Sequence, residues 1–253
     1  MRRIRATVAY DGTDYHGWQS QPGLVTVQQT IEDALARVEG KPVELVASGR
    51  TDAGVHAHGQ VAAFSLENPM PHYNLRKVLN RMLPPDIRIL ECRDAARETF
   101  HPRFDAIAKT YEYRIHRGEV CPPMLQRYVY HHPFPLSEDL MTAAAPLFEG
   151  THDFRSFAAK NPKASDDKVR TVFSSRAEWR PEESLWIYRV RGSGFLKYMV
   201  RNIVGVLLQV GMGNITQAGV LARLDARNRI PSGPTVAPSG LALVSVEYPE
   251  ALE

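Results

Sequence analysis

The period of the hydrophobic pattern switches in a fixed order between residue 4 and residue 92, and that order restricts the fold more than any other feature. Ile4, Ala6, Val8 and Tyr10 alternate with Arg3, Arg5, Thr7 and Ala9, the two-residue period of a half-buried strand that Asp11-Gly12 ends. Thr26-Val27-Gln28-Gln29 reads as a capping box, with Ile31, Ala34, Leu35 and Val38 on one helical face behind it and Gly40 as the stop. Val43 to Ala47 and Gln60 to Leu66 are strands by the same criterion. Asn74 is the expected cap of a short helix carrying Leu75, Val78, Leu79 and Met82 on one side, ended by Pro84-Pro85. Ile87 to Cys92 is a further strand, which completes a β-α-β-β-α-β unit of the ferredoxin-like kind.

The second half repeats the plan with longer loops. Lys109 to Ile115 and Arg127 to His131 read as strands, and Ser137 opens a helix with Leu140, Ala143, Ala144 and Leu147, closed by Gly150. Val169 to Arg180 and Leu185 to Arg191 form a hairpin turning at Pro181-Glu182-Glu183-Ser184. Phe195 to Val210 predicts a long helix, Thr216 caps a shorter one through Leu224, and Leu241 to Tyr248 alternates again. Lys160 to Asp167 is polar, fits no period and is expected to be a mobile loop. The expected fold is α+β: two ferredoxin-like halves, residues 1–105 and 106–253, joined through a largely antiparallel sheet. Helices would lie on one face and a catalytic cleft on the other.

Composition narrows the class without naming a function. Hydrophobic residues make up 43% and charged residues 23% of the chain, which excludes collagen-like, disordered and coiled-coil architectures. The net charge of +3 permits an anionic partner, and neither half is a basic tail: 13 basic and 13 acidic residues precede Ala106, 18 and 15 follow. Any nucleic-acid surface must therefore arise from folded placement of charge. Two cysteines, Cys92 and Cys121, cannot build a disulfide framework or a four-cysteine zinc site, which suits a reducing cytosol. Met1-Arg2-Arg3-Ile4-Arg5 is followed by no apolar signal core, and Ile203 to Val210 is about a third of a bilayer span. A cytoplasmic protein without membrane contact is the expectation.

The segment most suited to chemistry is Ala47-Ser48-Gly49-Arg50-Thr51-Asp52-Ala53-Gly54-Val55-His56-Ala57-His58, too long and too charged for a minimal hairpin. Two glycines bracket Arg50 and Asp52 and allow sharp turns. A carboxylate beside a guanidinium keeps its charge, so such an Asp serves as nucleophile or base and is poorly suited to be an acid. The plain alternative is a surface Arg–Asp pair that braces a loop. On the strand Lys109-Thr110-Tyr111-Glu112-Tyr113, residues 109, 111 and 113 share a face, offering rings for stacking and a cation for a phosphate, or else only a packed tyrosine pair. Lys197, Arg201 and Gly205 fall at i, i+4 and i+8 on the Phe195 helix; the glycine lets another backbone or a ligand come close, and two snorkelling cations are the plain alternative.

These segments resemble the tRNA pseudouridine synthase A family of bacteria, the tRNA pseudouridine(38-40) synthases. The resemblance is carried by Val8-Ala9-Tyr10-Asp11-Gly12-Thr13-Asp14-Tyr15-His16-Gly17-Trp18-Gln19-Ser20-Gln21, by Gly49 to Ala57, by Lys109 to Tyr113, by Gly194-Phe195-Leu196-Lys197-Tyr198-Met199-Val200-Arg201 and by Ala237-Pro238-Ser239-Gly240-Leu241. The motifs follow the family's order from residue 4 to about residue 248. The resemblance implies isomerisation of uridines 38, 39 and 40 of the tRNA anticodon stem-loop to pseudouridine, with no cofactor and no metal. It implies Asp52 as the catalytic nucleophile, Arg50 as the group that holds the flipped-out nucleotide and pairs with that acid, Tyr111 against the uracil face and Arg201 as a partner of the carboxylate. A homodimer is implied too, one tRNA lying across both subunits. Where relatives carry Phe-Leu-Arg this chain has Lys197, which keeps charge but loses a two-pronged geometry, so no specific contact is assigned to it. Arg2, Arg3, Arg76, Lys77, Arg81 and Lys168 are further candidates for gripping the tRNA backbone.

Two rival readings remain at this point. Asp52, His56, His58 and His101 form a carboxylate-plus-imidazole set of the kind that binds a metal in a hydrolase. A non-catalytic RNA-binding module of two ferredoxin-like units is the other, although Lys109 to Tyr113 lacks the glycine-and-aromatic pattern of an RRM strand.

Overall fold

The structure is a computed structural model, and it describes residues 1–159, 167–226 and 233–252. Its elements run β1 (Arg2–Tyr10), α1 (Val27–Glu39), β2 (Val46–Ala47), β3 (His56–Leu66), α2 (His72–Met82), β4 (Ile87–Asp94), β5 (Ala108–His116) and β6 (Tyr130–His131). They continue α3 (Glu138–Ala144), β7 (Gly150–Asp153), β8 (Val169–Arg180), β9 (Leu185–Gly192), α4 (Met199–Gly211), α5 (Gln217–Asp225) and β10 (Leu241–Glu247). The fold is α+β with mostly antiparallel strand pairing. The chain forms two compact units, Met1–Lys109 with the segment from Ala242 onward, and Thr110–Leu241. β10 adds a strand to the first unit, parallel to β3 at Ala242 and Leu243.

In the first unit β1 lies between β3 and β4, antiparallel to both, with Ile4 opposite Phe64 and Ala6 opposite Ala62. The apolar faces of α1 (Val27, Ile31, Ala34, Leu35) and α2 (Leu75, Leu79) are buried, together with Ile4, Val8, Ile87 and Ile89 of the sheet. Thr26 caps α1, its hydroxyl accepting from the Gln29 amide at 3.4 Å, and Gly40 ends the helix in the left-handed region. The return half of the expected capping box is not made: Gln29 gives its side-chain amide to Asp33 and its carbonyl to Ser20. Asn74 is no cap either. The helix starts three residues earlier, after Pro71, whose fixed φ of −58° enters the first turn without a side-chain hydrogen bond.

Only Val46 and Ala47 of the expected 43–47 strand pair with a neighbour. The physical reason is local competition. Glu32 of α1 accepts from the Leu45 amide at 3.0 Å and Gln28 donates to its carbonyl at 3.2 Å, so side chains fill the places a neighbouring strand would take. Near the chain's end the Arg5 guanidinium lies 4.5 Å from the Tyr248 ring centroid and 5.8 Å from Phe100 and donates to the Leu252 carbonyl, which holds the last segment to β1.

In the second unit β8 and β9 form the expected hairpin, β7 pairs with β8, and β6 adds two residues to β5. The expected 127–131 strand shrinks to Tyr130–His131. Pro146 converts the end of the helix after Ser137 into a 3₁₀ turn, so α3 stops at Ala144, and Gly150 opens the unforeseen strand β7. Among its described residues α4 is buried nearly all round, the mark of a central helix. It begins at Met199, not Phe195, because Tyr198 takes φ of +66° and breaks the helical run before it. The expected 160–167 loop lies, apart from Asp167, outside the described residues.

Candidate active site

The Asp52 segment is a connection from β2 into β3 that its own unit holds at nearly every backbone position. Ser48 donates from its amide to Val61 and from its hydroxyl to Gln60 Oε1 at 2.6 Å, and Gln60 Nε2 returns a bond to the Gly49 carbonyl at 2.9 Å. Lys109 Nζ donates to the Ser48 carbonyl at 2.6 Å and lies close over Gly49, where a Cβ would meet it at 3.4 Å. Past Arg50, the buried Thr51 hydroxyl shares a 2.8 Å hydrogen bond with Tyr10 OH, and its carbonyl accepts from the Trp18 amide at 3.1 Å. Asp52 then starts a turn: its carbonyl accepts from the Val55 amide at 3.1 Å, and Gly54, at φ of +77°, takes the third position that type II turns reserve for glycine.

The loop after β1 clamps this turn from the other side, and two glycines make the clamp possible. At Gly17, φ is +86° and a Cβ would lie 2.7 Å from the Thr51 carbonyl oxygen and 3.1 Å from the Ala53 amide nitrogen. At Gly12 a Cβ would overlap the Val55 carbonyl. Tyr15 accepts from the Gly54 amide through its carbonyl and donates from its hydroxyl to Asp86 Oδ1 at 2.8 Å. Burial pushes the Tyr10 hydroxyl up to about 12, and burial with the Asp86 bond and charge raises Tyr15, so both stay protonated donors near neutral pH. By residue pattern alone the segment 8–21 shows only the end of a strand at Asp11-Gly12. The signal of its physical role is the pair of glycines beside Tyr15 and Trp18, residues that bring a second backbone into contact with the Asp52 turn.

Burial pushes the Lys109 ammonium down to about 8, with the Arg103 charge adding to the effect. Unfolded lysine titrates near 10.4, so between those values the unfolded chain binds more protons and stability from this group rises with pH. Thermal melts of the wild type and Lys109→Met at pH 7 and pH 9 should therefore show the wild type gaining on the variant at the higher pH. Parallel pH trends would remove Lys109 as the titrating group.

In the first unit the structure thus brings Arg50 and Asp52 onto one clamped turn, Arg50 exposed and Asp52 half-buried. Tyr111 and Arg201 belong to the second unit. Tyr111, on β5, is buried and meets Phe195 edge-on at 5.1 Å between ring centroids. Arg201, in the first turn of α4, donates from Nε to the Val236 carbonyl at 2.8 Å and sets its guanidinium 5.0 Å from the Tyr198 ring. The close approach expected at Gly205 is made by backbone: a Cβ there would overlap the Pro234 carbonyl, so Arg201 and Gly205 together seat the 234–236 segment. Lys197 is not on the same helical stripe. It precedes the helix, is exposed, and lies 5.1 Å from the Tyr198 ring.

The residues of the metal reading do not converge. Among the described residues no group of three or more His, Cys, Asp and Glu side chains is arranged to hold a metal. His56 Nδ1 accepts from the Gly12 amide at 3.1 Å, His101 Nδ1 accepts from the Arg103 amide at 3.1 Å, and His58 is exposed. In two of the imidazoles Nδ1 is thus taken up by a backbone amide.

The sequence model of one family, described as tRNA pseudouridine synthase, matches residues 6–105 and 144–249. The chain belongs to this family. It is 56% identical over 250 residues to tRNA pseudouridine synthase A of Solibacter usitatus (strain Ellin6076), covering 98% of the chain and 100% of that protein. Over 253 residues it is 41% identical to tRNA pseudouridine synthase A 1 of Desulfotalea psychrophila (strain LSv54 / DSM 12343), covering 98% and 100%. Among solved structures the archaeal box H/ACA sRNP Nop10-Cbf5 complex aligns at a TM-score of 0.35 and 14% identity over 81% of the chain and 44% of that chain, too loosely to bear on the site. As a tRNA pseudouridine synthase the chain is an isomerase acting on uridine in tRNA.

Proposed function

We propose that this synthase isomerises uridines 38, 39 and 40 of the tRNA anticodon stem-loop, with Asp52 as its nucleophile. The observation that carries the reading is the clamped turn: glycines, buried hydroxyls and backbone amides from three segments fix the main chain around a carboxylate that stays half-exposed. A group built for reaction needs that combination, since a carboxylate oxygen must come within about 3–3.5 Å of its target atom and remain there.

A stacked base is out of reach, so the target nucleotide swings out at a cost of a few kcal/mol. Arg50, exposed next to the turn, holds the extruded state through its charge. Tyr111 supplies a ring for the uracil face and Arg201 a cation for the carboxylate. The reaction breaks the N1–C1′ bond and joins C5 to C1′; the hydrogen on C5 leaves as a proton and N1 gains one, so no net oxidation occurs and no redox cofactor enters. The enzyme acts as a cytoplasmic homodimer in this reading, which doubles the basic surface offered to one tRNA while each chain keeps a net charge of +3.

Because C5 loses its hydrogen, tRNA transcribed with 5-tritiated uridine reports the reaction directly. Incubation with the purified protein should release tritium to water equivalent to at most three uridines per tRNA. A tRNA with cytidine at all three positions should release none. Release that persists from that RNA would reject the assigned positions.

A further inference from the structure

The helix α2 contains no acidic residue, yet it carries Arg76, Lys77 and Arg81. Together with Arg88 of β4 they line an open groove between helix and strand in which no carboxylate takes part. Three other cations of the same unit are neutralised: Lys41 pairs with Glu67 at 2.8 Å, Arg97 with Asp105 at 2.6 Å and Arg93 with Glu91 at 3.8 Å. Arg76 and Arg88 are instead anchored on carbonyl oxygens, Arg76 on Leu90 at 3.0 Å and Arg88 on Pro84 at 2.6 Å, which fixes their position and leaves their charge uncompensated. At the head of the groove Tyr73 is 59% exposed, with the Lys77 ammonium 4.2 Å and the Arg76 guanidinium 5.9 Å from its ring centroid.

Four like charges gathered in one groove repel one another, and a polyanion relieves that repulsion. An exposed ring flanked by cations suits a nucleic acid better than a lone phosphate, because it adds a stacking face. We propose that the α2–β4 groove binds the phosphate backbone of RNA and is a second contact for the substrate, separate from the nucleotide presented to Asp52; this rests on the reading of the chain as acting on tRNA. The groove's lower end supports the assignment. Arg88 lies two residues past Asp86, whose carboxylate accepts from Tyr15 and whose carbonyl accepts from Asp11, so the basic strip leads to the base of the clamp that seats the Asp52 turn.

The test compares full-length unmodified tRNA binding by the wild type and R76Q/K77Q/R81Q across a salt series. Glutamine keeps helix propensity, and unchanged thermal melts would establish that the variant is folded. Each phosphate contact contributes about 0.7–0.9 to the slope of log K against log salt, so the variant's slope should be shallower by about 2–3. Its KM should rise about tenfold or more, with kcat at saturation within about twofold. A matched control, K41Q/R155Q/R180Q, removes three cations already paired with carboxylates and should leave the slope unchanged. Equal slopes for wild type and groove variant, or an equal loss in the control, would overturn the proposal. Wild-type protein that binds tRNA and releases no tritium would count against the assigned reaction, and the slope comparison would still decide the groove.

Discussion

Asp52→Asn should bind unmodified tRNA within a few-fold of the wild type and lose turnover by about a thousandfold or more, which is about 4 kcal/mol on the barrier. The asymmetry follows from how the turn is held. Among the bonds that fix it are the Thr51 hydroxyl to Tyr10, the Thr51 carbonyl to Trp18, the Asp52 carbonyl to Val55 and the Gly54 amide to Tyr15, all made by the main chain or by Thr51. An amide of the same size leaves those contacts in place and removes the negative charge. Filter binding and single-turnover tritium release, run on the same preparation, separate the two effects. A variant that turns over normally would show that the carboxylate is not the reacting group.

Gly12→Ala should cut turnover about a hundredfold while Asp52 itself is untouched. An added methyl there overlaps the Val55 carbonyl, a backbone atom that cannot rotate away, so one of the two segments must shift. Displacement of a catalytic group by about 1 Å costs on the order of a hundredfold in rate, and overpacking of this kind costs about 1–3 kcal/mol of stability. Gly23→Ala is the proper comparison. Gly23, unlike Gly12, has positive φ, at +74°, and a Cβ there would meet nothing within 4 Å, so that variant adds backbone strain without displacing the turn. Turnover near the wild-type level in Gly12→Ala, with a normal melt, would contradict the clamp.

The parts of the fold that could be read from the chain are those where local and tertiary preferences agree. The alternation of β1, the Thr26 and Thr216 caps and the β8–β9 hairpin all appear where the pattern puts them. The misreadings share a cause: a nonlocal partner outbid the local signal. Leu45 looks like strand, but Gln28 and Glu32 across the loop satisfy its backbone. Residues 195–198 look helical by period, but Tyr198 adopts a left-handed conformation that a tyrosine rarely takes and that no periodicity reports. For the site, Arg50 and Asp52 stand out because charge between glycines is unusual in a strand connection. The clamping roles of Gly12, Gly17 and Tyr15 leave only the two glycines as a trace in the sequence, since the turn they hold lies more than thirty residues downstream.

The central claim is that this turn presents a reactive carboxylate to uridines of the anticodon arm, and mapping the product tests it most directly. Unmodified tRNA with uridine at positions 38, 39 and 40 is incubated with the wild type or with Asp52→Asn and probed for carbodiimide-dependent reverse-transcription stops. The account predicts stops at those adjacent positions with the wild type and none with the variant. Stops elsewhere in the tRNA, or the same stops with both proteins, would contradict it.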